Sequence, residues 1–388
     1  MKHLRLISLI ISALAMWGCA SGSQISSDSF PVTRADIAMR DYYKTLSSLE
    51  LPIAPPSPPI NASQPVSRIV VGSCIDEEQD APALDAMANE DADLTLLIGD
   101  NVYGDIDGRW YESNDADLTE LREAYGELAA KPGFVKLRAA RPMMAVWDDH
   151  DFGANDGGGD FPFREFAEDI FETFWTSHED VKARPGVYDS VTFGPKGQRL
   201  QIIMLDTRFF RSPLTRTDEY GTKGKERYVP SADPYQSMLG EVQWAWLEKE
   251  LQKPADLRLL VSSIQITTNV HGWEDWAKLP IERQRLYTML AETGAVDNTV
   301  FVSGDRHSAF LYENTAVANV PVRELTASSI NKAFAKSEVP NEHDLMQIGD
   351  GFAFENYGVV AVDWNVRQIT MDIRDAEGKP QRSISFGF

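Results

Sequence analysis

Leu94-Thr95-Leu96-Leu97-Ile98 is a short apolar run that ends at once in Gly99-Asp100-Asn101-Val102-Tyr103. A run of this length bounded by glycine reads as a strand, with the polar residues forming the loop beyond its carboxyl end. Arg68–Val71 is a second such run, and Pro82–Asn89 between the two has helical character. Met143–Trp147, Leu200–Leu205, Leu259–Ser263 and Val300–Val302 repeat the strand pattern. Helical stretches lie between them, over Leu118–Ala130, Phe163–Trp175, Glu241–Leu251 and Ile281–Ala291. Such alternation predicts an α/β fold, a sheet with helices on its faces. The tail from Tyr357 to Phe388 lacks helix signals and reads as a closing segment of antiparallel strands. No internal repeat appears, so one domain is expected.

Four of these runs pass directly into polar clusters. They are Gly72-Ser73-Cys74, Gly99 to Tyr103, Trp147-Asp148-Asp149-His150-Asp151, and Ser303-Gly304-Asp305-Arg306-His307. Taken singly, each is as well explained by a turn or a helix cap. In an α/β sheet, however, the loops beyond the carboxyl ends of strands converge on the ligand crevice. Together the four would gather Cys, Asp, Tyr and His from distant sequence into one site. Trp244, Trp246 and Leu247 fall at helical spacing and are assigned to core packing.

The chain has 388 residues, with 37 Lys+Arg against 59 Asp+Glu and no Lys/Arg-rich run. A broad grip on nucleic acid needs clustered cations, so no bulk nucleic-acid binding is expected. Hydrophobic content of 43% supports a substantial core. Lys2 and Arg5 precede an apolar run from Leu6 to Ala15, followed by Met16-Trp17-Gly18-Cys19. Residues 1–18 read as an export signal, the apolar run being too short to span a membrane. The Gly-Cys step resembles a bacterial lipobox and predicts lipid attachment at Cys19, with a periplasmic or cell-surface, membrane-anchored location. Residues 19–66 read as a polar tether containing a short helix over Arg34–Leu49. Six prolines between Leu51 and Pro65 then suggest an extended linker, and the folded domain, 67–388, is expected to begin at Ser67. With Cys19 acylated, Cys74 has no disulfide partner, because these are the only two cysteines. A lone thiol outside the cytosol needs either deep burial or a function.

The segments GSC (72–74), GDNVYGD (99–105), WDDHDFGAND (147–156), LDTRFFR (205–211), GEVQWAWLEKEL (240–251) and SGDRHSA (303–309) carry a resemblance. In order and spacing they are similar to the alkaline phosphatase D (PhoD-like) family of the calcineurin-like metallophosphoesterase superfamily. The resemblance implies a four-layer α/β/β/α sandwich with a metal cluster at the strand ends. It implies Cys74, Asp100, Tyr103, Asp149, Asn155, Asp305 and His307 as metal ligands, and a mixed Fe(III) and Ca(II) cofactor. It also implies hydrolysis of phosphate esters. Against the pattern of the wider superfamily, Cys74 stands at the first block and Tyr103 takes the place of an Asp. Asp149-His150 replaces Asn-His, and Asp305-x-His307 replaces His-x-His, as in the alkaline phosphatase D branch.

These residue types suit that chemistry. A phosphate ester dianion repels hydroxide, and its leaving group departs with negative charge. Two or more metals clamp the phosphate oxygens and generate a bound hydroxide near neutral pH. Asp100 is the expected bridging carboxylate, with Asp149 a second candidate. Thiolate and phenolate are donors of the kind seen on iron, whereas Asp and Asn oxygens suit calcium. The expected division puts iron near Cys74, Asp100, Tyr103 and Asp149, and calcium near Asp149, Asn155, Asp305 and His307, although sequence leaves the division open. His150, flanked by aspartates that favour its cationic form, is the expected proton donor to the departing oxygen. Arg208 is expected either to fork onto a phosphate oxygen or to pair with Asp206 or another carboxylate. Arg306 is a further possible substrate contact. Asp105, Asp107, Asp156 and Asp160 read as solvated loop charges, and His178, His271 and His343 as structural. Residues 209–236, with Arg211, Arg216, Lys223, Lys225 and Arg227, form a basic loop that would steer a small anionic substrate, unless it is merely solvated.

Phosphomonoesters are the expected substrates, with a phosphodiesterase or phospholipase acting on lipid headgroups or polymers as the alternative. A non-catalytic, calcium-stabilised lipoprotein would have little use for His150 or a Cys–Tyr pair. A redox iron protein would need no set of calcium-type oxygens.

Overall fold

The structure, a computed structural model, describes residues 34–46, 49–105, 116–315, 317, 319–334 and 344–388. Cys19 and the expected export signal, Asp107 and His343 lie outside the described residues. The strands, in chain order, are β1 (Arg68–Gly72), β2 (Leu94–Ile98), β3 (Met143–Val146), β4 (Asp189–Phe193), β5 (Leu200–Met204) and β6 (Leu257–Val261). They continue with β7 (Thr299–Ser303), β8 (Phe310–Asn314), β9 (Val322–Thr326), β10 (Asn356–Asp363), β11 (Gln368–Asp375) and β12 (Pro380–Gly387). Two six-stranded sheets result, in the orders β12-β11-β10-β1-β2-β3 and β4-β5-β6-β7-β9-β8. β1, β2 and β3 are parallel, as are β5, β6, β7 and β9. The tail closes the first sheet as expected, β10 pairing antiparallel with β1 and leading an antiparallel meander through β11 and β12.

Alternation along the second sheet shows how the layers stack, because successive side chains of a strand point to opposite faces. Ile202, Met204, Leu259, Val261, Val300 and Val302 join the same core as Val70, Leu96 and Val359 of the first sheet. Their neighbours Ile203, Leu205, Leu260 and Phe301 turn the other way, onto Trp244, Leu247, Leu286 and Leu290. Those four residues sit on the helices Gly240–Leu251 and Pro280–Glu292. Leu84, Leu121, Phe134 and Phe171, from four further helices, cover the first sheet. The fold is thus a mixed α/β sandwich of two sheets between helical layers. No helix among the described residues is long and apolar enough to cross a membrane.

The proline-rich stretch corrects the expected boundary at Ser67. It is extended, but it lies against the domain instead of hanging free. Ala54 is buried and its N–H donates to the Phe174 carbonyl at 3.0 Å. Arg138 Nε donates to the Pro55 carbonyl at 2.9 Å, and the Gly194 N–H to the Ala62 carbonyl at 2.9 Å. Proline lacks an N–H but keeps its carbonyl, so such a segment docks through its acceptors. The short helix Arg34–Tyr43 docks as well, with Tyr43 stacked on Phe166 and Arg40 paired with Glu165 at 2.7 Å.

Candidate metal centre

All seven parallel strands point their carboxyl ends to the same edge of the sandwich, and the polar clusters sit there. β1 delivers Cys74, β2 delivers Asp100 and Tyr103, and β3 delivers Asp148 to Asp151 on a capped helical turn, Asp149–Phe152. β7 delivers Asp305 and His307. Cys74, Asp100, Asp305 and His307 all have positive φ, at 59°, 49°, 65° and 50°. Side chains rarely adopt that conformation, and residues held there cluster at functional sites. The turn after β2 needs Gly99: its φ is +112°, and a Cβ there would lie 2.6 Å from the Asp148 Cβ. Absence of that Cβ lets the β2 and β3 loops touch. Asp151 then joins them, accepting the N–H groups of Asp148 at 2.6 Å and of Asp100 and Asn101 at 3.1 Å each.

Ligand-type atoms converge in two groups that share one residue. Cys74, Asp100 and His307 bring theirs within 4.8 Å of one another, and so do Asp100, Asp148, Asp149 and Asp305. Tyr103 completes the first group, its hydroxyl 3.2 Å from Asp100 Oδ2 and 3.0 Å from His307 Nε2. Asp100 is therefore common to both, as a bridging carboxylate must be. His307, expected among the calcium-type oxygens, lies instead with the thiol and the phenol. Ser328, just beyond β9, steadies this half, 3.0 Å from Cys74 Sγ and accepting the His307 N–H at 2.8 Å.

The electrostatics ask for cations. Burial, then the neighbouring Asp149 charge, pushes the Asp100 carboxyl well above its usual range. Burial pushes the Cys74 thiol and the Tyr103 phenol up, with Asp100 adding to both and the thiol itself adding to Tyr103. Burial and then His150 push His307 down to about 3, which leaves it a neutral imidazole able to donate a lone pair. Metal ions reverse this logic, stabilising thiolate, phenolate and carboxylate where burial alone disfavours them. The residues present thus fit a group of metal ions in donor chemistry as well as in convergence.

Around the ligands lie residues whose roles the sequence left open or misassigned. Arg208 has a fully buried side chain and holds its guanidinium against Asp148 and Glu274, each at 2.6 Å, with Asp149 3.9 Å away. Of the two expected arrangements, the structure has the carboxylate pairing, though with Asp148 and Glu274 instead of Asp206. Glu274 also holds Arg211 at 2.7 Å. Arg306 is buried. Asp105, expected as a solvated charge, is buried and lies 2.6 Å from His150 Nδ1. Asp156 is likewise engaged, binding Arg227 and the Tyr228 hydroxyl, the latter at 2.7 Å. Asn155 is exposed; its backbone N–H serves Asp105, while Asp149 takes the N–H of Asp156 at 2.7 Å. Burial opposes charge on His150, but Asp149, Asp105 and Asp100 outweigh it and raise its pKa well above the ordinary value. His271 is buried and bonded to Gln265 at 3.0 Å, and His178 is exposed. Asp148 stood in plain view beside Asp149. Glu274 and Ser328 follow no strand that the sequence pattern revealed, and only their contacts single them out.

A cleft of about 690 Å³ opens beside His150, with Asn155, Phe161, Leu214, Arg216 and Tyr220 among its lining residues. Comparison with known proteins agrees with this geometry. The profile of PhoD-like phosphatases matches residues 69–160 and 162–373. The chain belongs to the PhoD-like phosphatase family. Its fold is similar to a solved structure of PhoD, with a TM-score of 0.66 and 18% identity over 85% of this chain and 71% of that one. It is also similar to the purple acid phosphatase PPD1 from yellow lupin (Lupinus luteus) seeds, with a TM-score of 0.53 and 11% identity over 85% of this chain and 55% of that one. No individual curated protein matches it significantly by sequence. As a PhoD-like phosphatase the chain is a metallophosphoesterase, and the carboxylate, thiol and imidazole groups at the strand ends are its candidate metal site.

Proposed function

We propose that this PhoD-like phosphatase hydrolyses phosphomonoesters with an iron-type ion in the Cys74, Tyr103, His307 half and a calcium-type ion in the Asp149, Asp305 half. The observation that carries the reading is Asp100, whose carboxylate belongs to both halves. Ions bound there would polarise the phosphate oxygens and lower the pKa of a coordinated water. The protein groups supply the rest. Asp105 on Nδ1 orients His150, leaving Nε2 to face the ester. Water's oxygen forms a bond to phosphorus as the bond to the ester oxygen breaks. The electron pair leaves on that oxygen, which takes a proton from His150, and the proton shed by the water restores the balance. Ester and water become alcohol and phosphate. Arg208 stays behind Asp148 and Asp149, offsetting their charge and fixing their direction.

Turnover of 4-nitrophenyl phosphate against bis(4-nitrophenyl) phosphate, with metal analysis of the same preparation, tests this. The expected result is faster monoester hydrolysis, with iron and calcium both bound. Asp100→Asn should abolish turnover and reduce both metals together. A faster diester reaction would favour the phosphodiesterase alternative, and loss of only one metal would remove Asp100 from the bridging position.

A further inference from the structure

His150 lines both the metal centre and the adjoining cleft. Given the function proposed above, on which this inference rests, His150 protonates the departing oxygen. The alcohol must then leave on the His150 side, and the cleft is the space on that side. Its volume of about 690 Å³ is ample for a small organic group.

The charges of the cleft wall are not equivalent. Asp105 is committed to His150. Asp156 is committed to Arg227, which also lies over the Trp273 ring at 5.1 Å. Arg216 is exposed in the wall, and no carboxylate among the described residues pairs with it. The main chain that carries it is anchored. Its backbone bridges to Tyr228, and Thr217 N–H to Arg227 O and Val229 N–H to Thr215 O, each at 3.0 Å, continue that ladder. Asp160, exposed in the same wall, is the remaining carboxylate. A guanidinium carried on an anchored main chain and exposed in the cleft wall is suited to a carboxylate or phosphate oxygen brought by a ligand.

We propose that this cleft is the leaving-group subsite, and that Arg216 selects phosphate esters whose departing alcohol carries a second anionic group.

Phenyl phosphate and 4-carboxyphenyl phosphate form a matched pair, differing by one carboxylate on the leaving group. The wild-type chain should favour the carboxylated ester in kcat/KM. Arg216→Ala should reduce that preference about tenfold, mainly through KM, as expected for loss of a charged hydrogen bond. Arg216→Lys should restore part of it, and Asp160→Asn should increase it. An Arg216→Ala enzyme with undiminished preference would overturn the inference, even while both esters are hydrolysed and the proposed function stands. If the wild-type chain hydrolyses neither ester, the proposed function and this inference fall together.

Discussion

Asp105 and His150 meet at 2.6 Å in a wall of the cleft, although the sequence around Asp105 reads as a solvated loop. Nothing in Gly99 to Asp105 distinguishes a carboxylate that folds back onto a histidine from one that faces water. Only the path of the loop decides it. The pair yields a specific kinetic expectation. His150→Ala should lower kcat by about 10²–10⁴-fold, since a positioned acid contributes that much. Asp105→Asn should lower kcat less, because the imidazole remains but loses its orienting partner. Both losses should shrink as the leaving group becomes more acidic and needs less protonation. A series of aryl phosphates of graded leaving-group acidity measures this, and losses of equal size along the series would remove His150 from the acid role. Cys74, by contrast, stands out in the sequence as a thiol following a strand, though deep burial accounts for it equally well, and it is buried. Asp100, Asp149, Asp305 and His307 belong to polar clusters that follow apolar runs, which marks them as candidates, while their part as ligands comes from the family resemblance.

At the level of elements, legibility followed apolarity. β2 and the helix Pro82–Asn89 fall on their expected bounds, since one is apolar apart from Thr95 and the other opens with proline at its first turn. β4, β8 and β9 are concealed in the sequence because Asp189-Ser190, Glu313-Asn314 and Arg323-Glu324 break their apolar pattern. Glu324 is buried within β9 and accepts the N–H groups of Ile266 and Thr267, at 3.0 and 2.7 Å, so its charge conceals a core strand. The helix Pro132–Ala140 was masked by its opening Pro-Gly, which reads as a break. There the proline starts the helix, and Gly133 gives close passage to Leu84. The turn after β2 is the element whose failure should be most costly. Gly99→Ala would force a side chain into positive φ and against Asp148. It should destabilise the fold by about 1–3 kcal/mol and depress turnover, because the β2 and β3 loops could no longer touch. Urea unfolding together with 4-nitrophenyl phosphate kinetics would measure both effects. Unchanged stability and rate would mean that the contact does not position the centre.

For the molecule as a whole, the two sheets do more than build a core. The first contributes Cys74, Asp100, Tyr103 and Asp149, the second Asp305 and His307, so the centre spans the seam between them. Among the described residues, the buried carboxylates there (Asp100, Asp105, Asp148, Asp149, Asp151 and Glu274) outnumber the buried guanidinium groups of Arg208, Arg211 and Arg306. Metal ions would therefore link the sheets as well as perform chemistry, and ligands bound only to the folded state stabilise it. The most direct test is turnover of 4-nitrophenyl phosphate by the full chain before exhaustive chelation, after it, and after metals are returned. The account predicts activity lost in step with bound metal, a lower Tm in the stripped protein, and recovery of both on reconstitution. Undiminished turnover by protein shown to be metal-free would contradict it.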